Sequence, residues 1–254
     1  MSNLKAAITA KLATKQVKRE HVTIVALVIA LVATILFAWW YLRRTSPLEE
    51  IKAAVVPVRH PKWVATIYGD PRYNVFLQRP RKVYVYRDEI YVADTGNDRV
   101  VVFDRNGRFL RKFGDRGKVR LRHPYGMVVV GNEIYVADAG LWRVAVFDLK
   151  GNFKRFFGEK AIRQPVEIAY RDGRFYVTDV VRQQLLVLDK TGKEIGAIGH
   201  YGQGGGGEFN FPNGVAIAPD GTIYVTDVNN YRVQIFDAQG RFKKMWQGEV
   251  DKQE

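Results

Sequence analysis

Ile90-Tyr91-Val92-Ala93-Asp94 decides the fold, because the same five-residue phrase returns as Ile134 to Asp138, Phe175 to Asp179 and Ile223 to Asp227. The aspartates stand 44, 41 and 48 residues apart, and a period in this range marks a repeat architecture. Five residues after each aspartate comes Arg99, Arg143, Gln184 or Arg232. An apolar stretch follows at once: Val100 to Phe103, Val144 to Phe147, Leu185 to Leu188, Val233 to Phe236. Each ends in an Asp-x-x-Gly turn, Asp104/Gly107, Asp148/Gly151, Asp189/Gly192 and Asp237/Gly240. Beyond the glycine lies one more apolar pattern, Phe109 and Phe113, Phe153 and Phe157, Ile195 and Ile198, Phe242 and Trp246. Upstream, Pro80, Pro124, Pro165 and Pro212 open each unit.

Every unit therefore reads as four short strands of β-branched and aromatic residues between turn signals. Runs such as Val100-Val101-Val102-Phe103 are apolar on both faces, as sheets stacked face to face require. Four-stranded blades around an axis satisfy that pattern. The repeat resembles the NHL family, whose units run proline, strand, tyrosine-valine-alanine-aspartate, asparagine, arginine, strand, phenylalanine-aspartate, glycine. Units one, two and four match closely, with Asn97 and Asn230 beside the arginine; the third departs at Arg182-Gln183-Gln184. The resemblance covers residues 63–248 and implies an all-β propeller of four NHL-type four-stranded blades. Members of this family usually close with six blades. Val64 to Gly69 reads as an additional outer strand with no unit of its own, while the last unit already owns Phe242 to Trp246. The expectation is either a small four-bladed ring or an open, incomplete one whose bare faces need another protein or a second copy as a homo-oligomer.

Ahead of the repeats, Val22 to Leu42 is 21 residues without a charge. As a helix it spans about 31 Å, the hydrocarbon thickness of a bilayer. Trp39, Trp40 and Tyr41 close it at headgroup level, Arg43 and Arg44 follow, and no small-residue cleavage site intervenes. The chain thus divides into a basic segment 1–21, one N-terminal transmembrane α-helix 22–42, a tether 43–62, the propeller 63–248 and a polar tail 249–254. Lys5, Lys11, Lys15, Lys18 and Arg19 precede the span, against Arg43, Arg44, Lys52 and Arg59 after it. That balance favours a cytoplasmic N-terminus and an extracytoplasmic propeller, periplasmic or extracellular. Ala26, Ala30, Thr34 and Ala38 form a small-residue stripe suited to packing on another membrane helix.

Composition narrows the chemistry. There is no cysteine, and no serine beyond Ser46, so thiolate metal sites, disulfides and serine nucleophiles in the propeller are excluded. His123 and His200 are the propeller's histidines and do not by themselves build a zinc site. The glycine run Gly202 to Gly207 precedes Phe211-Pro212 and a strand rather than a helix, which makes it an inter-blade loop and not a dinucleotide site. Because the aspartates recur in every unit and the arginines in three of the four, they read as blade-locking groups. The turns between second and third strands, with the inter-blade connections, gather Asn97, Asp98, His123, Trp142, Arg182, Gln183, His200, Asn229, Asn230 and Tyr231 as a candidate binding face.

Net charge is +14, and the densest basic run holds Arg105, Arg108, Arg111, Lys112, Arg116, Lys118, Arg120 and Arg122 against Asp115 alone. It is a candidate dock for an anionic surface. The leading expectation is a membrane-tethered protein-interaction or scaffold module, without a cofactor or resident metal, working as an accessory subunit of a larger envelope complex. Relatives of this fold that are lyases or lactonases imply the alternative of a metal-centred enzyme, with calcium among Asp94, Asp138, Asp179 and Asp227 as its extreme form. Nucleic-acid binding, the third reading, requires a cytoplasmic propeller and finds few stacking aromatics in the basic run.

Overall fold

The computed structural model describes residues 66–117 and 119–247. The basic segment 1–21, the span 22–42 with Ala26, Ala30, Thr34 and Ala38, the tether 43–62, Lys118 and the tail 249–254 lie outside them. Among the described residues no helix is long and apolar enough to cross a membrane.

A two-stranded ribbon, β1 (Gly69–Asp70) and β2 (Val75–Phe76), leads into the first blade. That blade is β3 (Lys82–Tyr86), β4 (Glu89–Asp94), β5 (Arg99–Asp104) and β6 (Phe109–Phe113). The second is β7 (Pro124–Val130), β8 (Glu133–Asp138), β9 (Arg143–Asp148) and β10 (Phe153–Phe157). The third is β11 (Pro165–Arg171), β12 (Arg174–Asp179), β13 (Gln184–Leu188) and β14 (Glu194–Ile198). A parallel ribbon, β15 (His200–Tyr201) and β16 (Glu208–Phe209), carries the glycine run. The fourth blade is β17 (Pro212–Ile217), β18 (Ile223–Asp227), β19 (Arg232–Phe236) and β20 (Phe242–Gln247). In each blade the strands follow sequence order, and all pairs are antiparallel.

The Asp-x-x-Gly turns explain the outer hairpins. Gly107 donates its N–H to the Asp104 carbonyl at 3.0 Å, while Asp104 Oδ1 accepts from the N–H groups of Asn106 and Arg108. Gly107 sits at φ +76°, which a residue without a Cβ adopts freely. One residue of register is absorbed beside the turn, between Val102 and Phe103, and equivalently before Leu188 and Phe236.

The double-sided apolar runs are consumed by stacking. Tyr91, Val100, Val102 and Phe113 of the first blade meet Met127, Val129, Ile134 and Phe147 of the second. The other face of the second blade, with Tyr135, Val144, Val146 and Phe157, meets Ile168, Phe175, Leu186 and Leu188 of the third. Tyr176 and Leu185 meet Val215, Ile223, Val225 and Phe236 of the fourth, with Phe209 wedged between. Each fully buried large side chain contributes roughly 1.5–3 kcal/mol. The stack stops at both ends: Val83 and Val85 of β3 are 59% and 63% exposed, and Trp246 of β20 is 55% exposed. The described blades form an open series.

Candidate functional site

The repeated aspartates organise one end of every blade. Asp94 is fully buried; its Oδ1 accepts the N–H of Gln78 at 2.6 Å, and its Oδ2 accepts from Arg99 Nε at 2.7 Å and Asn97 Nδ2 at 2.8 Å. Asp138 takes the N–H of Arg122 at 2.6 Å and Arg143 Nε at 3.1 Å, and burial pushes its carboxyl above the usual range. Asp227 takes the N–H of Asn210, with Asn230, Arg232 and Gln234 on Oδ2. A buried carboxylate needs such a shell of donors. The third blade lacks the arginine and solves the problem differently. Asp179 accepts four backbone N–H groups, from Arg163, Gln164, Val181 and Arg182, while the Arg182 guanidinium pairs with Glu194 at 2.6 Å.

One turn position ties blade to blade. Asp98, at φ +54°, accepts the N–H of His123 at 2.7 Å on Oδ1; Gln183, at φ +56°, accepts the N–H of Phe211 at 2.6 Å on Oε1. Trp142 and Tyr231 hold the same left-handed position, φ +56° and +52°, and remain 59% and 75% exposed.

The same end of the stack holds a cleft of about 450 Å³. The residues before the four repeat prolines, Arg79, His123, Gln164 and Phe211, line it together with those after, Arg81, Tyr125, Val166 and Asn213. Thr95, Ala139 and Val180, each following a repeated aspartate, complete the wall with Gly140. Arg79, His123 and Phe211 sit at φ +47°, +53° and +65°, unusual before proline, and for the latter two the blade ties hold the backbone there. Arg81 lies 5.5 Å over the Tyr125 ring. The lining carries Arg79, Arg81 and His123 and no carboxylate, so the cleft favours anionic or polar ligand groups.

The candidate face is thus sorted by geometry. His123 lines the cleft. Asn97, Asp98, Arg182, Gln183 and Asn230 spend their side chains on structural bonds. Asn229 Nδ2 donates to Asn210 Oδ1 at 3.1 Å, and His200 is exposed on the β15–β16 ribbon. Tyr125, Gln164, Phe211 and Asn213 were not singled out by sequence, although their signal was present: like Arg79 and Arg81, they flank the recurring prolines. Among the described residues no group of three or more His, Asp or Glu is placed to hold a metal ion.

The basic run is divided by β6. Arg105, paired with Asp88, and Arg108 belong to the hairpin at its start. Arg111 pairs with Glu89 and touches Tyr91, and Lys112 pairs with Asp115 at 2.9 Å. Arg120 and Arg122 lie beyond its other end, where the Arg120 carbonyl accepts from Arg143 and the Arg122 N–H serves Asp138. Arg116 is exposed. A five-residue strand separates the two ends by about 16 Å.

Comparison with known proteins agrees with this architecture. The NHL repeat model matches residues 209–236. The chain is a four-bladed β-propeller whose fourth unit matches the NHL repeat. It is similar to the B-box type zinc finger protein ncl-1 of Caenorhabditis elegans and to the protein brain tumor of Drosophila melanogaster, each 54% identical over 37 residues. Those matches cover 15% of this chain and 4% of either relative. Among solved structures it resembles a streptogramin B lyase (TM-score 0.50, 14% identity, 66% of this chain and 54% of that one). The hydrazine synthase of Kuenenia stuttgartiensis is similar at TM-score 0.50 and 18% identity, over 74% of this chain and 51% of that one. The chain spans about half the length of both structures, and at these identities the likeness concerns the fold alone.

Proposed function

We propose that this propeller is a protein-interaction module, tethered to a membrane by the 22–42 span and serving as a non-catalytic accessory or scaffold subunit of a larger envelope complex. In this reading the N-terminus is cytoplasmic and the propeller extracytoplasmic. The observation that carries it is the pair Trp142 and Tyr231. Both are large aromatics in left-handed turns, both are exposed, and both occupy the position that elsewhere ties neighbouring blades. A bulky residue in that conformation costs about 1–2 kcal/mol, and exposure returns nothing from burial. Aromatic anchors on a rigid scaffold are the residues that carry protein-binding energy. The basic cleft beside the same turns adds selectivity for a partner presenting acidic groups. Affinity purification of the full chain from native membranes tests the reading. Stoichiometric co-purification of one protein, lost with Trp142→Asn, is the expected result. A chain that always elutes as a lone monomer in detergent overturns it.

A further inference from the structure

Successive blades meet through one repeated contact. The turn glycine before the outer strand lies against the last outer-strand side chain of the preceding blade: Gly151 on Phe113, Gly192 on Phe157, Gly240 on Ile198. A Cβ at those glycines would come within 2.6, 3.1 and 2.8 Å of these side chains, so each glycine acts as a socket. The first blade has no described predecessor, yet its socket is filled, since Ile67 stands 3.0 Å from the equivalent point at Gly107. With Val75 and Leu77, Ile67 packs against Val92, Val101 and Phe103, covering the outer half of that face. The inner half, Val83 and Val85, is bare, whereas its counterparts Met127 and Val129 in the second blade are buried. Segment 66–77 thus does what a preceding outer strand would do, and among the described residues the three inner strands have no counterpart.

Trp246 is the matching feature at the far end. It pairs in register with Val233, as Phe113 does with Val100, Phe157 with Val144 and Ile198 with Leu185. Among the described residues it is therefore a plug without a socket, its ring 5.8 Å from that of Tyr224 on an uncovered face. Closing the fourth blade on the first would place Trp246 at Gly107, where Ile67 already sits. The same obstacle meets Trp246 of a second copy.

We infer that the gap between the fourth and first blades receives a different protein, one that supplies a three-stranded antiparallel sheet. This sheet seats on Val83 and Val85, and β1, which pairs on one side only with β2, stands ready as its outer strand. Its opposite face covers Tyr224 and Trp246, where exposed Lys243 and Lys244 call for acidic side chains on the partner. The inference rests on reading the chain as an interaction module and adds a second contact surface to the turn face that carries Trp142 and Tyr231.

The chain has no cysteine, so single thiols report cleanly. Val83→Cys, Trp246→Cys and, as a control in an exposed turn of the third blade, Lys190→Cys are made in the full chain and labelled with a maleimide. All three react in the purified chain. In native membranes the first two are expected to react at least tenfold more slowly, with Lys190→Cys unchanged. A benzophenone-maleimide on Val83→Cys then links to strand peptides of another protein. Equal reactivity in both settings overturns the inference, as does a link to this chain's own Phe242–Gln247 peptide or a disulfide in the oxidised V83C/W246C double variant. If a partner still co-purifies while Val83→Cys stays reactive, this surface is wrong and the module reading stands. If nothing co-purifies either, both fall.

Discussion

Lys82 Nζ donates to Glu167 Oε2 at 2.8 Å, joining the first blade to the third across the second. Gly126 of β7 is what lets them meet: a Cβ there would lie 2.4 Å from Glu167 Oε1 and 2.7 Å from the Val166 carbonyl. The Glu167 carboxylate tip could rotate away, but the Val166 carbonyl and the Glu167 Cα, 2.6 Å from the same point, are backbone of a packed inner strand and cannot. Gly126→Ala is therefore expected to destabilise the propeller by about 1–3 kcal/mol, measured by urea unfolding. Gly196, which has nothing within 4 Å of its Cβ position, is the control; Gly196→Ala should lose far less.

The same pair predicts a pH dependence. Burial is the largest influence on Glu167 and raises its carboxyl above the ordinary value of 4.5, with Lys82 pulling the other way. The folded state consequently holds that proton more tightly than the unfolded chain does. The contribution of Glu167 to stability must then fall as pH rises from 4.5 through the raised folded value, and return on acidification. Glu167→Gln removes this component. The difference in unfolding free energy between wild type and Glu167→Gln, measured from pH 4 to 8, should shift against the wild type as pH rises. A flat difference would refute the assignment.

Glu133 behaves in the opposite sense. Arg155, Lys154 and Tyr135 donate to it, and the Arg155 contact is the main reason its carboxyl is held down at about 2. Its contribution is present above the unfolded value near 4.5 and disappears as pH falls through about 2. Glu133→Gln is expected to cost roughly 1 kcal/mol at pH 7 and nothing near pH 2. Its neighbour Tyr135 and the equivalent Tyr91 are pushed up to about 12, chiefly by burial. Alkaline difference spectra should show two tyrosines ionising that late, and unfolding should bring them back toward 10.

What repeats in this chain was legible and what occurs once was not. The aspartates, turn glycines and apolar runs recur with one period, and β4, β8, β12 and β18 all end on the aspartate that the phrase predicts. The additional outer strand expected over Val64 to Gly69 is not found as such: Val64 and Ala65 lie outside the described residues, residues 66–68 are not in a strand, and only Gly69 enters the short β1, while Ile67 fills the Gly107 socket and Tyr68 is exposed. Lys82 and Glu167 are single-copy residues whose proximity depends on how blades stack, and Arg182 with Glu194 is a single-copy pair inside the third blade; no repeated pattern encodes either. The basic run looked continuous because sequence distance ignores that β6 carries its two halves to opposite ends of a blade. Conversely, the cleft wall was encoded all along in the positions flanking each proline, and was hidden only because those residues differ in type from blade to blade.

The tie position separates structure from recognition in one experiment. Asp98 and Trp142 share the same turn and the same left-handed backbone, but only Asp98 bonds to the next blade, through His123. Asp98→Ala removes an inter-blade acceptor and puts alanine in a strained conformation, so a loss of about 1–2 kcal/mol in urea unfolding is expected. Trp142→Asn does the reverse. Asparagine tolerates the left-handed region better than tryptophan, and the indole is exposed, so stability should hold or rise slightly. Partner capture, by contrast, should weaken at least tenfold with Trp142→Asn while Asp98→Ala, at a temperature where it is still folded, binds normally. Equal binding by both variants would mean that the aromatic is ornament on a turn, and that recognition is carried elsewhere on the propeller.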